Sequence, residues 1–411
     1  MILAQPPGFV RWNSREAILA TLQISEFSAC IGLHDRFTNS EIILMKDPLT
    51  RRRFIGITGA TAGGMNFGLG RLVGAVDSSG ARAGAEEADR LIASHTRRGE
   101  VAGAVFLMRK GTFEFVRGYG KAKSDTPFLI ASPTKPMTVS AVMWLRERNQ
   151  LELSDPVVKY LPQFQNDGRG AVTIKHLLTH TSGLPDMLPE NVELRRRHAP
   201  LSEFVARTCK TRLLFRPGEK VSYQSMGILL AAAIVEKISG QPMPAFLAAN
   251  IFGPLGMTRT SLGLGGRAIA DTAQCEVPDD ERTDWDWNSA YWRNLGAPWG
   301  GAHSTVHDLA TFVEAFVSPG PAPWGQATRR EMRKIQTGAL RPSYGLGWMR
   351  DPGAFGKSCS PATFGHHGST GTVAWHDPES GVTCVLLTTR PAVSSRRSVI
   401  IPVCEIVGRR D

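Results

Sequence analysis

Two apolar segments with the pattern of β-hairpins lie toward opposite ends of this chain. Residues 101–120, VAGAVFLMRKGTFEFVRGYG, form two apolar runs joined at RKG, and residues 371–390, GTVAWHDPESGVTCVLLTTR, form two runs joined at DPESG. Turn residues between apolar runs predict antiparallel strand pairs. Strands so far apart along a chain share one sheet when the residues between them fold as an insertion. The sequence therefore predicts an antiparallel sheet built from both ends of the chain.

The residues between the two hairpins have a mostly helical pattern. Apolar side chains recur at helical spacing in five segments that proline and glycine separate: 136–149, 173–180, 201–209, 226–239 and 242–251. Residues 85–99, before the first hairpin, and residues 396–409, after the second, have similar periodicity. This periodicity predicts amphipathic helices. The predicted fold class is α+β, with flanking helices and an inserted, mostly helical region.

Composition excludes several classes of protein. The 411 residues are 42% hydrophobic and 21% charged, as in ordinary globular proteins. No run approaches the roughly 18 apolar residues that a membrane-spanning helix requires. The net charge of +11 comes from scattered basic residues without an aromatic-interleaved stripe, so we predict no nucleic-acid partner. The six cysteines are dispersed without a C-x-x-C pair, which predicts buried apolar residues and no metal site.

An arginine triplet near the front of the chain indicates export. In residues 50–64, TRRRFIGITGATAGG, the arginines precede a weakly apolar, glycine-rich stretch. This resembles a twin-arginine signal and predicts a periplasmic protein. Such a signal begins near an N-terminus, and Met45 offers a start at the expected distance. We therefore predict that residues 1–44 are a misassigned upstream extension, that residues 45–83 are signal and linker, and that residues 84–411 form the folded domain.

A dinucleotide-binding turn is an alternative interpretation of the same stretch. FIGITGATAGG would be a strand and a glycine-rich turn, and RLVGAVD would be the next strand, ending at Asp77. The intervening run contains too many glycines for the required helix, and no alternating strand and helix units follow. We therefore favour the export signal and predict no cofactor.

The stretch IASPTKPMTVSAVMWL places Ser132 and Lys135 three residues apart at the start of a predicted helix. At this spacing both side chains lie on one side of the helix. A partly desolvated lysine can take the proton of a serine hydroxyl, and first-turn amides favour developing negative charge. A serine at a helix start is also an ordinary N-cap, so this pair alone leaves both interpretations open.

Further segments resolve this choice through a family resemblance. IASPTKPMTVSAVMWLRERNQLELSDPVVKYLP, HLLTHTSGLPD, RPGEKVSYQSMGILLAAAIVEKISGQPM, WGGAHSTVHDLATF, YGLGW and FGHHGSTGTVAW follow one another in that order. Together they resemble the serine β-lactamase and penicillin-binding-protein superfamily, especially its class C-like esterase and D-aminopeptidase branch. The resemblance covers roughly residues 85–390 and implies a β-lactamase/transpeptidase-like fold.

The resemblance also implies a role for each matching residue. Ser132 corresponds to the acylated nucleophile, Lys135 to the lysine that shares its proton, and Tyr223 to the tyrosine that relays a proton to the leaving group. The backbone amides of Ser132 and Ser369 correspond to the oxyanion hole. A core tyrosine is the alternative for Tyr223, but its position between a turn and a helical run favours the catalytic role.

Two departures from the superfamily's pattern concern substrate binding. Ser225 replaces an asparagine that would contact the acyl side of a substrate, and His366-His367-Gly368 replaces the Lys-Thr-Gly of true β-lactamases. We predict that Ser225, His366, His367 and Gly368 bind substrate. Neutral histidines supply no fixed charge, so neutral esters should be preferred over anionic β-lactams, with more cationic imidazole below about pH 6.

Three features have competing interpretations. HGSTG makes Ser369 a rival nucleophile, but a nucleophile elbow needs a helix after it, and the strand-like TVAW follows. His176 and His180 have the spacing of metal ligands, but no third ligand is indicated. The tryptophan-rich residues 284–301 either anchor a long loop or line an apolar pocket, and we favour the anchor.

The function predicted from the sequence is that of a serine hydrolase with an acyl-enzyme on Ser132, acting on an ester or small amide. A D-Ala-type carboxypeptidase or aminopeptidase acting on peptidoglycan-like peptides, a β-lactamase, and a non-catalytic penicillin-binding homologue are the alternatives. The sequence predicts no metal, cofactor or membrane span, and leaves the acyl group, the leaving group and the oligomeric state open.

Overall fold

A computed structural model describes residues 79–410 of the chain. The arginine triplet, Met45, Cys30 and the alternative dinucleotide-binding stretch all lie outside the described residues. Among the helices of residues 79–410, none is long and apolar enough to cross a membrane.

The main sheet has five strands in the order β2-β1-β8-β7-β6, and every neighbouring pair is antiparallel. Its strands come from both ends of the described chain: β1 Gly103–Lys110, β2 Phe113–Gly120, β6 Phe364–Gly368, β7 Thr372–Asp377 and β8 Val382–Thr388. The contact that joins the two ends is the pairing of β1 with β8, in which Ala104 lies opposite Thr388. The predicted sheet and both predicted hairpins are therefore confirmed.

A second, three-stranded sheet has the order β3-β5-β4 and lies within the inserted region. Its strands are short: β3 Phe128–Leu129, β4 Ser261–Leu262 and β5 Ala302–Ser304. This sheet is not predicted from the sequence, because segments of two or three residues carry no measurable alternation of apolar and polar side chains.

Helices make up most of the remaining structure. They are α1 Ser79–Arg97, α2 Thr134–Glu147, α3 Ile174–Leu178, α4 Asn191–Arg196, α5 Leu201–Thr208, α6 Ser225–Ser239, α7 Met243–Leu247, α8 Ala290–Leu295, α9 Val306–Glu314, α10 Gln326–Arg333, α11 Ala392–Ser395 and α12 Ile401–Val407. Short π-helical segments at Ala248–Phe252 and Arg396–Ile400 follow α7 and α11. The predicted helix 136–149 begins two residues earlier, because proline is tolerated in a first helical turn.

The main sheet buries both of its faces. One face carries Phe106 and Trp375 and packs against α1 and α12. The other carries Leu107 and Phe364 and packs against α9 and the inserted helical region, where α2 lies against α6. This second face points toward the segment that contains Ser132. The described cysteines Cys209, Cys275, Cys359, Cys384 and Cys404 are buried and unbridged, which confirms their prediction as buried apolar residues.

Candidate active site

Ser132 lies in the turn between β3 and α2. The preceding residue, Ala131, has a left-handed backbone with φ of 53°, a conformation that costs energy for a residue other than glycine. The N-cap of α2 is Pro133, and no side chain caps this helix end. The hydroxyl of Ser132 is therefore available for another role, and the N-cap interpretation is wrong.

Lys135 lies one turn further along, and its side chain is only 1% exposed. Its Nζ donates hydrogen bonds to Ser132 Oγ, at 3.2 Å, and to the carbonyl oxygen of Trp299, at 2.9 Å. The same Nζ lies 4.6 Å from the centre of the Tyr223 ring. Burial lowers the pKa of Lys135 from its ordinary 10.5 to about 7, although the nearby Asp186 carboxylate opposes this shift. A substantial fraction of Lys135 is thus neutral at physiological pH.

Tyr223 occupies the stretch just before α6. Burial raises the pKa of Tyr223 well above 10, and the Asp186 carboxylate adds to this effect, while a hydrogen bond with Ser132 opposes it. The phenol consequently keeps its proton at neutral pH. Its ring lies 4.8 Å from that of His180 and 6.0 Å from that of His366, measured between centroids. The structure therefore places Ser132, Lys135 and Tyr223 close together.

Ser225 is the first residue of α6, and Asp186 holds it in place. Asp186 Oδ1 accepts hydrogen bonds from the backbone N–H of Ser225, at 2.9 Å, and from its hydroxyl, at 2.7 Å. Partial burial raises the pKa of Asp186, whereas Lys135 and the Ser225 hydrogen bonds lower it. Asp186 is not among the site residues predicted from the sequence. The signal was its position at the end of HLLTHTSGLPD, but nothing in that string indicates that the loop folds back onto α6.

His366 and His367 are adjacent in β6 and point to opposite faces of the sheet. His366 shares the face of Phe364 and lies near Tyr223. His367 stacks on Phe355, with ring centroids 5.1 Å apart, on the face that packs against α1 and α12. The prediction that both imidazoles bind substrate is corrected by this placement: only His366 is close enough to the site. The cause is the alternation of side chains along a strand.

The protonation of His366 follows from its contacts. Burial lowers the pKa of His366 to about 3, and the positive field of Lys135 acts in the same direction. Its Nδ1 lies 2.7 Å from the carbonyl oxygen of His367. A carbonyl oxygen only accepts, so Nδ1 carries the ring proton and Nε2 is left as an acceptor. The expectation of a cationic imidazole below about pH 6 is therefore wrong.

Gly368 and Ser369 lie where β6 ends, against the chain segment that precedes α2. A Cβ on Gly368 would lie 2.3 Å from the carbonyl oxygen of Ile130, so only glycine allows this approach. The hydroxyls of Thr370 and Thr372 donate to the carbonyl oxygens of Leu129 and Ile130, at 2.7 and 2.6 Å. These contacts fix the turn containing Ser369 beside the segment that leads into Ser132.

The structure around Ser369 bears on whether this residue could be a rival nucleophile. It connects the antiparallel strands β6 and β7, and no helix follows it. The strand-to-helix context of a nucleophile elbow is absent from this part of the described chain. The surroundings of Ser369 are therefore not those of an elbow nucleophile.

The tryptophan-rich segment anchors its loop, as predicted, and also reaches the site. Trp292 and Trp299 are 5% and 2% exposed, and their rings lie 6.3 Å apart. Arg293, which is fully buried, donates hydrogen bonds to the carbonyl oxygens of Trp287 and Ala273, both at 2.9 Å. The carbonyl of Trp299 accepts from Lys135. This contact could not be predicted from the sequence, because a backbone carbonyl leaves no signature in residue type.

His176 and His180 have separate partners. His176 Nδ1 accepts from the backbone N–H of Thr173 at 3.1 Å, which caps α3. His180 Nδ1 accepts from the backbone N–H of Gln224 at 3.2 Å. Within residues 79–410, no group of three or more His, Cys, Asp or Glu side chains is arranged to hold a metal ion.

The antiparallel sheet and the inserted helices form a β-lactamase/transpeptidase-like fold, and Ser132, Lys135 and Tyr223 cluster within it. The family described as Beta-lactamase matches residues 88–400. The chain therefore belongs to the Beta-lactamase family, whose members include serine hydrolases.

The chain is similar to named members of this family. It is 28% identical over 341 residues to Esterase EstB from Burkholderia gladioli, which covers 71% of this chain and 87% of that protein. It is also similar to an Escherichia coli (strain K12) protein whose name assigns it to the D-alanyl-D-alanine carboxypeptidases. The two are 29% identical over 307 residues, and the aligned region covers 66% of this chain and 70% of that protein.

Solved structures show the same fold. EstCE1, described as a hydrolase with promiscuous acyltransferase activity, matches with a TM-score of 0.67 at 20% identity, over 80% of this chain and 99% of that chain. A penicillin-binding-protein homologue from Caulobacter crescentus matches with a TM-score of 0.64 at 21% identity, over 80% and 97%. These likenesses confirm the predicted β-lactamase/transpeptidase-like fold.

Proposed function

We propose that this protein hydrolyses esters or small amides through an acyl-enzyme formed on Ser132. The observation that carries the proposal is the hydrogen bond of 3.2 Å between Ser132 Oγ and the buried, partly neutral Lys135. A serine hydroxyl becomes an effective nucleophile when such a base lies within hydrogen-bond reach. The similarity to Esterase EstB supports the ester as substrate.

The proposed reaction has two halves. Neutral Lys135 takes the proton of Ser132 as Oγ bonds to the substrate carbonyl carbon, and the backbone amides of Ser132 and Ser369 stabilise the oxyanion. Tyr223 donates its proton to the leaving group as the bond to the carbonyl carbon breaks, and Lys135 returns a proton to Tyr223. Water then attacks the acyl-enzyme by the same route, releasing the acid and restoring the Ser132 hydroxyl.

We propose that the site prefers substrates whose leaving group is uncharged. His366 presents an uncharged acceptor where true β-lactamases have lysine, so a substrate carboxylate would meet a lone pair instead of a cation. A D-alanyl peptide or amide is the second candidate substrate, supported by the similarity to the Escherichia coli protein. Gly368 contributes through the close backbone approach that its missing side chain permits.

A labelling experiment tests the nucleophile. Ser132→Ala should abolish covalent labelling by a fluorophosphonate probe and lower ester hydrolysis by about 10³-fold or more. Ser369→Ala should keep measurable activity, since its proposed contribution is a backbone amide. Thermal unfolding of both variants checks that each remains folded. Labelling of Ser132→Ala together with loss of labelling in Ser369→Ala would show that the nucleophile is Ser369.

We also propose that the protein is exported to the periplasm by a twin-arginine signal within residues 45–83. The proposal rests on the arginine triplet and the weakly apolar stretch that follows it. Translation from Met45 would place the triplet at the usual distance from the N-terminus. A periplasmic location would expose the site to esters and to peptidoglycan-like peptides.

A further inference from the structure

His180 holds the backbone on both sides of Tyr223. The backbone carbonyl oxygen of His180 accepts a hydrogen bond from the backbone N–H of Ser222 at 2.9 Å. The ring Nδ1 of His180 accepts from the backbone N–H of Gln224 at 3.2 Å. Ser222 and Gln224 flank Tyr223 in the chain. One residue therefore fixes the chain directly before and directly after the tyrosine of the site.

The imidazole of His180 also packs against the ring of Tyr223. The two ring centroids lie 4.8 Å apart, and the ring planes are inclined by 39°. Tyr344 contacts the same imidazole edge-on, with centroids 4.6 Å apart and an angle of 77°. His180 and Tyr344 are 0% and 2% exposed, so neither ring can turn aside into solvent. Rings packed this closely limit one another's orientation, and His180 thereby limits where the Tyr223 hydroxyl can point.

Two features of His180 destabilise the fold. Its φ of 59° lies in the left-handed region, which residues other than glycine rarely adopt. Burial lowers the pKa of His180 well below 6.5, and the positive field of Lys135 acts in the same direction, so the ring is neutral. Because Nδ1 accepts, Nε2 carries the ring proton, and this buried N–H has no hydrogen-bond partner within residues 79–410. Backbone strain and unpaired polar groups of this kind concentrate at functional sites.

We propose that His180 is a positioning residue for Tyr223: it holds the phenol at the angle from which the hydroxyl reaches the leaving group of the substrate. This inference rests on the proposed function, in which Tyr223 protonates that leaving group. His180 acts through Tyr223 and, being neutral, exchanges no proton in this role. Its removal should therefore impair the departure of the leaving group while leaving the attack of Ser132 largely unchanged.

A pair of butyrate esters isolates this step. Ethyl butyrate releases an alkoxide too basic to leave without a proton, whereas p-nitrophenyl butyrate releases a weakly basic phenolate that leaves unaided. Both esters form the same butyryl-enzyme, so the ratio of their kcat/KM values reports acylation alone. His180→Gly removes the ring and its acceptor, and glycine adopts a φ of 59° without strain. In this variant kcat/KM should fall at least about tenfold more for ethyl butyrate than for p-nitrophenyl butyrate.

Two further variants show whether the effect belongs to His180. His180→Asn should recover part of the wild-type ratio, because asparagine tolerates the left-handed backbone and its Oδ1 can accept from Gln224. His176→Ala is the matched control in the same segment, since the Nδ1 of His176 accepts from Thr173 and caps α3. It should keep the wild-type ratio, because a loss of stability alone lowers both rates together.

Equal losses for the two esters in His180→Gly would overturn the inference. If thermal unfolding shows that this variant is not folded, His180→Asn decides: it lacks the ring that contacts Tyr223, and a wild-type ratio in it would contradict the positioning role. Tyr223→Phe separates the inference from the proposed function. A selective loss of ethyl butyrate hydrolysis in Tyr223→Phe, with equal losses in His180→Gly, leaves the proposed function standing. Without a selective loss in Tyr223→Phe, the proposed leaving-group step fails as well.

Discussion

Burial sets the protonation state of Lys135, the residue proposed as the base. A lysine in water is protonated up to its pKa of about 10.4 and cannot act as a base at neutral pH. Here its side chain is almost fully buried, and this burial brings the pKa to about 7. The hydrogen bond to the Trp299 carbonyl fixes the ammonium or amine beside Ser132 in either state. The proposed base is thus partly neutral near pH 7.

The protonation of Lys135 and His366 predicts a pH profile. Activity requires neutral Lys135, so kcat/KM for a neutral p-nitrophenyl ester should rise with pH and level off, with a midpoint near pH 7. The pKa of His366, about 3, lies far below this range. The ratio of kcat/KM between 4-carboxyphenyl butyrate and phenyl butyrate, which differ by a carboxylate on the leaving group, should therefore stay constant from pH 5.5 to 8. A ratio that moves toward the anionic ester as pH falls would mean that His366 becomes cationic.

The sequence predicts which residue types form the candidate site better than it predicts their positions. Ser132, Lys135 and Tyr223 come together because an ordered set of motifs specifies both their types and their order. The alternation of side chains in a strand predicts that His366 and His367 face opposite ways, yet it does not say which faces the site. The hydrogen bonds between Asp186 and Ser225 form because the loop of Asp186 folds back onto α6, which no local sequence pattern encodes.

The turn between β6 and β7 contacts the segment before α2 through two hydrogen bonds and one close backbone approach. The hydroxyls of Thr370 and Thr372 donate to carbonyls of that segment, and Gly368 lies directly against it. The oxyanion hole proposed from Ser132 and Ser369 takes one amide from each of these two segments. Its geometry therefore depends on how closely β6 approaches the start of α2.

Gly368→Ala tests this approach. The added Cβ would lie 2.1 Å from Thr372 Oγ1, 2.3 Å from the Ile130 carbonyl oxygen and 3.1 Å from Pro133 Cδ, so β6 must move away. Overpacking of this kind costs about 1–3 kcal/mol of unfolding free energy. We expect a lower urea midpoint and at least about a tenfold slower rate of fluorophosphonate labelling, since one oxyanion donor is displaced.

The matched control for Gly368→Ala is Gly170→Ala, because a Cβ at Gly170 meets no atom within 4 Å. It should leave both the urea midpoint and the labelling rate close to those of the wild type. Wild-type labelling by Gly368→Ala would show that the contact between β6 and the start of α2 does not set the oxyanion geometry.

Elements with strong periodicity were predicted well, and short ones were not. The two hairpins and the long helices α2 and α6 carry several turns or full alternations of apolar residues, which local sequence encodes. Strands β3, β4 and β5 have two or three residues each, and their pairing depends on tertiary contacts such as that of Phe128 with Ser304. The site lies next to this second sheet, so its position could not be derived from periodicity alone.

The main sheet depends on both ends of the described chain. Helix α1 and helix α12 cover the same face, and β1 pairs with β8 at the centre of the sheet. Within α1, Ala81, Ala85 and Ala88 are buried in this packing. The folded domain therefore includes Ser79, and cleavage within residues 79–83 would remove the first turn of a packed helix. The export proposal is accordingly refined to a cleavage site before Ser79.

The arginine triplet and the start of α1 together predict how the chain is exported and trimmed. Expression from Met45 should yield a periplasmic product whose N-terminus lies before Ser79, because a signal cleaved there leaves α1 intact on the sheet. Replacing Arg51, Arg52 and Arg53 by lysine should retain the product in the cytoplasm, since the twin-arginine pathway requires arginine at the paired positions.

The control is replacement of Arg97, the last residue of α1, and of Arg98, which follows it. This change should leave export unchanged. Cell fractionation followed by intact-mass analysis measures both results. A native protein that still carries residues 1–44 would rule out the start at Met45, and a periplasmic triple-lysine variant would rule out the twin-arginine route.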